Sequence, residues 1–140
     1  MASKEKRPCP ECDGVMRQEE RDDVLTYKGR EKVIRSFGWW CAECGEGILD
    51  GEALAKSEKA FVELKSEVDE VLTSSQVAEV RQKLGLSQRE AGKVLGGGPR
   101  SFQKYEAGAQ PVSTPMSNLL RLLANDPGRL RELQEPLKKA

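Results

Sequence analysis

Histidine is absent from the 140-residue chain. That removes imidazole acid–base pairs, Ser-His-Asp triads and every metal signature that needs a His ligand. Aromatic residues make up only 5%, and a chain this size divided into two cores needs a staple such as a metal or a subunit interface. No apolar run approaches the roughly 18 residues that span a membrane. Met1-Ala2-Ser3-Lys4-Glu5-Lys6-Arg7 is not followed by the apolar stretch of a secretion signal. The expectation is a soluble, cytoplasmic protein without membrane contact. Gly96-Gly97-Gly98 lacks the Lys-Ser/Thr that completes a phosphate loop, and no nucleophile elbow occurs. An enzyme would have to work with thiols or with Glu19, Asp22 and Asp23, and the thiols have a better use.

The net charge of zero conceals an uneven distribution. Residues 1–72 carry 12 Lys and Arg against 17 Asp and Glu, a balance of −5, and residues 73–140 carry 11 against 6, a balance of +5. An acidic half attracts basic proteins and a basic half attracts nucleic acid, although either is also what a solvated surface looks like. Composition changes at the same place, so the expected domains are 1–72 and 73–140.

In the first half, β-leaning pieces at Val24–Tyr27, Val33–Phe37 and Trp39–Trp40 are expected to be broken by Gly29 and Gly38. A helix should then run from Glu52 to about Leu72, with Leu54, Phe61, Leu64, Val68 and Val71 on its apolar face. Within this half lie all four cysteines, as Cys9-Pro10-Glu11-Cys12 and Cys41-Ala42-Glu43-Cys44. Two C-x-x-C turns supply four thiolates for tetrahedral zinc, with no position left for a catalytic water. Asp13-Gly14 and Gly45 let the backbone curl and aim N–H groups at sulfur. Redox dithiols, disulfides and a rubredoxin-type iron compete. The first belongs at the start of a helix in a βαβ unit, and the second conflicts with a chain lacking a secretion signal. One structural zinc per chain is expected. Trp39 and Trp40 can stack on bases, but packing on the long helix accounts for them more simply.

The second half reads as all-helical, with Thr73-Ser74-Ser75 as linker and N-cap. Gln76–Leu84 is amphipathic through Val77, Val80 and Leu84, and Gly85 stops it. Ser87-Gln88-Arg89-Glu90 is a capping box opening a second helix with Ala91, Val94 and Leu95 on its apolar side. After Gly96–Gly98, Pro99 suits the first helical position and Arg100–Glu106 form a short third helix ended by Gly108. Phe102 and Tyr105 should face the core. Arg100 and Lys104, four apart, share the outward side, where Arg can make a bidentate contact to guanine in a major groove. A solvated basic surface is the alternative. Leu119, Leu122, Leu123, Leu130 and Leu133 supply more apolar surface than one small domain needs, so a homodimer reading a palindromic operator is expected.

Leu86-Ser87-Gln88-Arg89-Glu90-Ala91, Gly96–Gly98, Phe102-Gln103-Lys104-Tyr105-Glu106 and Gln110-Pro111 resemble the Xre/Cro-type helix-turn-helix. Together with Cys9/Cys12 and Cys41/Cys44, residues 8–135 resemble the MqsA (YgiT-type) zinc-finger antitoxins. The resemblance implies an α+β zinc-binding domain that binds a ribonuclease toxin, then an all-α DNA-binding dimer that represses its own operon. It places the zinc ligands on Cys9, Cys12, Cys41 and Cys44, and base reading on Arg100 and Lys104, flanked by Ser101 and Gln103. The first base-reading position is usually an amide residue in the family and the second arginine. Gln88 matches the position that contacts a phosphate, and Arg81 and Glu106 match a scaffold ion pair. A zinc-containing transcription regulator without a toxin is the alternative function.

Overall fold

The computed structural model describes residues 5–137. Four strands come first, β1 (Lys6–Pro8), β2 (Val15–Tyr27), β3 (Arg30–Cys41) and β4 (Gly47–Ile48). Helices α1 (Gly51–Val68), α2 (Ser74–Lys83), α3 (Gln88–Leu95), α4 (Ser101–Ala107) and α5 (Thr114–Asn125) follow, then a 3-10 turn at Pro127–Arg129 and α6 (Leu130–Gln134). The chain divides into two compact units between Phe61 and Val62, inside α1.

The first unit is built on one antiparallel sheet in the order β1-β2-β3-β4. Strands β2 and β3 pair without interruption from Met16↔Cys41 to Tyr27↔Arg30. Between them Lys28 and Gly29 both have positive φ, 48° and 80°, the backbone of a tight two-residue hairpin. The expected break at Gly29 is therefore this turn, but the one at Gly38 does not exist: Gly38 lies within β3. A glycine stands there because a Cβ would sit 2.6 Å from the Ile48 carbonyl oxygen and 2.6 Å from the Leu49 side chain. The sequence signal was for close approach, not for a turn. On one face of the hairpin Tyr27 meets Phe61 edge-on at 6.1 Å between ring centroids. On that same face the Ser36 and Ser57 hydroxyls donate to the Asp23 carboxylate.

Helix α1 ends earlier than its apolar pattern suggests. Glu70 takes a left-handed conformation with φ 55°, and the Val71 N–H reaches back to the Ser66 carbonyl at 3.0 Å, closing the last turn in the manner usual for a C-terminal cap. Leu64 is buried at 2% exposure, whereas Leu54, assigned to the apolar face, is 42% exposed.

In the second unit a single core runs from Val77 of α2 to Leu130 of α6, with Phe102 and Leu120 fully enclosed. Thr73 does not link: it caps α2, accepting from the Gln76 N–H while the Gln76 side chain accepts from the Thr73 N–H, and Ser74 and Ser75 lie inside the helix. The capping box of Ser87 and Glu90 opens α3 as the sequence pattern requires. Helix α4 begins at Ser101, with Arg100 in the preceding N-cap position (φ −108°, ψ −2°) and making no side-chain cap bond. Pro99 thus belongs to the turn before the helix. Phe102 (0%) and Tyr105 (8%) are buried, in edge contact at 5.4 Å.

Candidate metal centre and basic helix

Each C-x-x-C segment begins where a strand meets a tight turn. The Cys9 N–H donates to the Gly14 carbonyl at 3.0 Å, and the Cys41 N–H to the Glu46 carbonyl at 2.9 Å, so both turns close on themselves. The register Met16↔Cys41 brings the ends of β2 and β3 together, and the four Sγ atoms lie within 4.8 Å of one another. Cys9 and Cys44 are 3.7 Å apart and Cys12 and Cys41 3.5 Å. A disulfide requires about 2.05 Å. A tetrahedron of thiolates at about 2.3 Å from a central ion has edges of about 3.8 Å. These side chains therefore fit a metal between them and are not disulfide-bonded.

Backbone donors turn toward the cluster. The Gly14 N–H lies 3.3 Å from the Cys12 sulfur. The Cys41 thiol is lowered to about 7, chiefly by the Cys44 N–H and further by that of Glu43, against burial, which raises it. The Cys12 thiol is pulled down by the Gly14 N–H but pushed up to about 12 on balance, by the crowding thiols and by burial. Cys41 thus ionises well before Cys12. Gly45 has the positive φ the sequence suggested, 78°, whereas Gly14 does not. At Gly14 the requirement is space: a Cβ would lie 2.6 Å from Cγ of Glu43 and 2.9 Å from the Cys41 sulfur.

Of the two tryptophans, Trp39 serves this centre. Trp39 packs against the cluster of Cys9, Met16 and Cys41, with the Arg7 guanidinium 5.3 Å above its ring. Trp40 lies so close over Gly47 that a Cβ there would be 2.3 Å from its ring, and its indole N–H donates to the Ser36 carbonyl. The Arg7–Trp39 contact was not anticipated, although Arg7 two residues before Cys9 was visible.

In the second unit Arg81 and Glu106 form a bidentate pair, both contacts 2.8 Å, and a third guanidinium N–H donates to the Leu86 carbonyl at 2.9 Å. Their side chains are 15% and 9% exposed. The guanidinium pKa is raised, first by the hydrogen bond to Glu106. The pair ties α2 to α4. Arg100, Gln103 and Lys104 are exposed and Gln88 is half-buried. Ser101 does not join them: it is 6% exposed, and its hydroxyl donates to the Gly98 carbonyl at 2.9 Å. That side chain holds the turn ahead of α4.

The model of the MqsA family, the antitoxin component of bacterial toxin-antitoxin systems, matches residues 7–134. Antitoxin MqsA of Escherichia coli (strain K12) is 35% identical over 133 residues, covering 90% of this chain and 98% of the relative. The chain belongs to the MqsA antitoxin family. It is a family of antitoxins and not of enzymes, and membership implies a toxin partner. The match takes in all four cysteines and helices α1 to α6. Among the described residues no helix is long and apolar enough to cross a membrane.

Proposed function

We propose that this antitoxin works in the cytoplasm as two functional halves: residues 1–72 hold one structural zinc and neutralise a ribonuclease toxin, and residues 73–140 form a homodimer that represses its own operon. Family membership carries the antitoxin part of the reading. The sulfur tetrahedron supports the metal, since four thiolates leave no open coordination position and suit a closed structural zinc. Cys9, Cys12, Cys41 and Cys44 would hold the ion, which when bound supplies folding free energy. The chain's own part is to close both turns and direct N–H groups at the sulfurs.

For DNA binding the supporting observation is the split of α4 into two sides. Phe102 and Tyr105 anchor it in the core while Arg100, Gln103 and Lys104 face solvent. With the capped α3 before it and the Gly96–Gly98 turn between them, the arrangement suits a helix-turn-helix of the Xre/Cro type, whose second helix enters the major groove. Arg100 and Lys104 are assigned to bases, Gln103 to the same surface, and Gln88 near the start of α3 to a phosphate. Ser101 positions the turn. The acidic balance of residues 1–72 would complement a basic ribonuclease, and β2 beyond Arg17 has no strand on its outer flank among the described residues, offering main-chain groups for pairing.

The test is a binding series on operator and scrambled duplexes at one fixed salt concentration. Arg100→Ala should cost about 1–3 kcal/mol on the operator and little on the scramble, whereas Gln88→Ala should weaken both alike. If Arg100→Ala and Lys104→Ala leave the ratio of the two affinities unchanged, α4 is not the reading helix.

A further inference from the structure

The cysteine cluster is uneven in a way that a closed metal site does not require. Cys9 and Cys41 are buried and Cys12 is half-buried, but Cys44 is exposed. The close sulfur contacts also run between the two turns: Cys44 faces Cys9 at 3.7 Å and Cys41 faces Cys12 at 3.5 Å. Each pair joins the turn before β2 to the turn that ends β3, across 35 and 29 residues of sequence. With no histidine in the chain, every ligand atom of this cluster is an oxidisable sulfur.

An exposed thiolate with a second sulfur in contact behind it is the arrangement of a peroxide-reactive pair, and disulfides that form in cytosolic proteins are usually transient and redox-sensing. We propose that the cluster is a peroxide-sensitive centre in which Cys44 is the residue oxidised first and the metal staple is exchanged for two disulfides, Cys9–Cys44 and Cys12–Cys41. The Cys44 thiolate attacks one oxygen of hydrogen peroxide, forming the sulfenic acid and releasing hydroxide. The Cys9 thiolate then attacks the Cys44 sulfur and displaces a second hydroxide, so each sulfur has given up one electron and one peroxide is consumed. Bond formation draws these sulfurs from 3.7 Å to about 2.05 Å. The chain then offers the ion only Cys12 and Cys41 and releases it. A second peroxide joins Cys12 to Cys41 by the same two steps.

The pairing gives the centre its character. A bond inside either C-x-x-C would leave the two turns unattached to each other, whereas the crossed bonds tie together the same chain ends that a shared ion would join. The register Met16↔Cys41 already holds those ends side by side. The oxidised sheet unit is therefore still stapled when metal-free, unlike a unit stripped by a chelator with its thiols kept reduced. The inference rests on the proposed zinc at this site.

The experiment treats the zinc-loaded full-length chain, freed of reductant, with hydrogen peroxide and follows zinc release with a chromogenic chelator. One zinc per chain should be released as the first equivalent of peroxide is consumed, and dithiothreitol with added zinc should restore it. Cleavage after glutamate, at Glu11 and Glu43 within the two C-x-x-C segments, leaves each cysteine on its own peptide, so non-reducing mass spectrometry reads the pairing directly. The linked peptides should be Cys9 with Cys44 and Cys12 with Cys41, and dimedone present during the reaction should trap the sulfenic acid on Cys44. The oxidised chain should keep the thermal unfolding transition of the sheet unit, which the reduced, chelator-treated chain loses. Links of Cys9 to Cys12 and Cys41 to Cys44, dimedone on Cys9 or Cys41 in place of Cys44, or zinc retained after about ten equivalents of peroxide overturns the proposal. A chain that takes up no zinc at the outset removes the zinc reading and the exchange with it, whereas zinc taken up and then kept under peroxide removes the exchange alone, so the two failures are distinguishable.

Discussion

Two residues show how little of a side chain's role lies in its own chemistry. Arg81 carries a charge that in another place would face DNA, yet its three guanidinium bonds all go inward, two to Glu106 and one to the Leu86 carbonyl. Removing one partner of a buried pair leaves the other charge uncompensated, so Arg81→Ala should cost about 3 kcal/mol by urea unfolding of the full chain. The double change with Glu106→Ala should cost clearly less than the sum of the two single changes. Because the folded guanidinium pKa is raised, the stability this group contributes is present below its ordinary value and lost only as pH rises through the folded one. Its own titration therefore makes no contribution to pH dependence near neutrality. Gly14 has no side chain, and that is its function. An alanine methyl would press on Cys41 Sγ and Glu43 Cγ, so Gly14→Ala should weaken metal binding about tenfold, as supporting contacts around metal ligands do. Competition against a chelator of known affinity measures it.

At the scale of elements, the two units differ in what holds them. The sheet unit gathers Met16, Cys9 and Cys41 into a small core that is itself part of the cysteine cluster, and a core of that size needs a staple. The helices from α2 onward share a larger core without any cysteine. Stripping the metal, or Cys41→Ser, should therefore abolish the unfolding transition of the sheet unit and leave the helical one within a few degrees of its original midpoint. Thermal unfolding followed by circular dichroism with and without chelator checks this, and an unchanged sheet transition would contradict it. The same contrast governs how much the sequence revealed. Local chemistry was legible: Ser87 with Glu90, the stop at Gly85, the outward Arg100 and Lys104, the paired C-x-x-C. What depended on a neighbour distant in sequence was not. Gly38 looked like a breaker because the approach of Ile48 is invisible until β4 is placed. Ser101 was expected among the DNA-binding residues by position, but its hydroxyl belongs to the Gly98 carbonyl. The Arg81–Glu106 pair was found only through resemblance, since 25 residues separate its members.

For the whole molecule, the proposed repression turns on dimerisation, because one short reading helix would cover few base pairs and two would have to be presented about 34 Å apart. The five leucines that suggested an interface part company in the structure. Leu123 (4%) and Leu130 (7%) are core, while Leu122 is 64% and Leu133 43% exposed. These two, with Leu119, Leu123, Arg129 and Glu132, line a groove of about 170 Å³. Arg129 and Glu132 pair with one another there at 2.7 Å, so the groove is apolar in its centre and neutral at its border. That is a surface able to meet a copy of itself. Covering Leu122 fully should contribute about 1.5 kcal/mol per protomer. Leu122→Asp replaces that gain with two carboxylates facing each other across a two-fold axis. The variant should sediment as a monomer at micromolar concentration while keeping the unfolding midpoint of the helical unit, since the side chain is already in water in a single chain. Its operator affinity should fall by about a hundredfold or more, as half the contacts are lost, and its affinity for scrambled DNA much less. A variant that stays dimeric would place the interface on another surface, and a monomer that still binds the full palindrome as tightly as wild type would separate dimerisation from repression altogether.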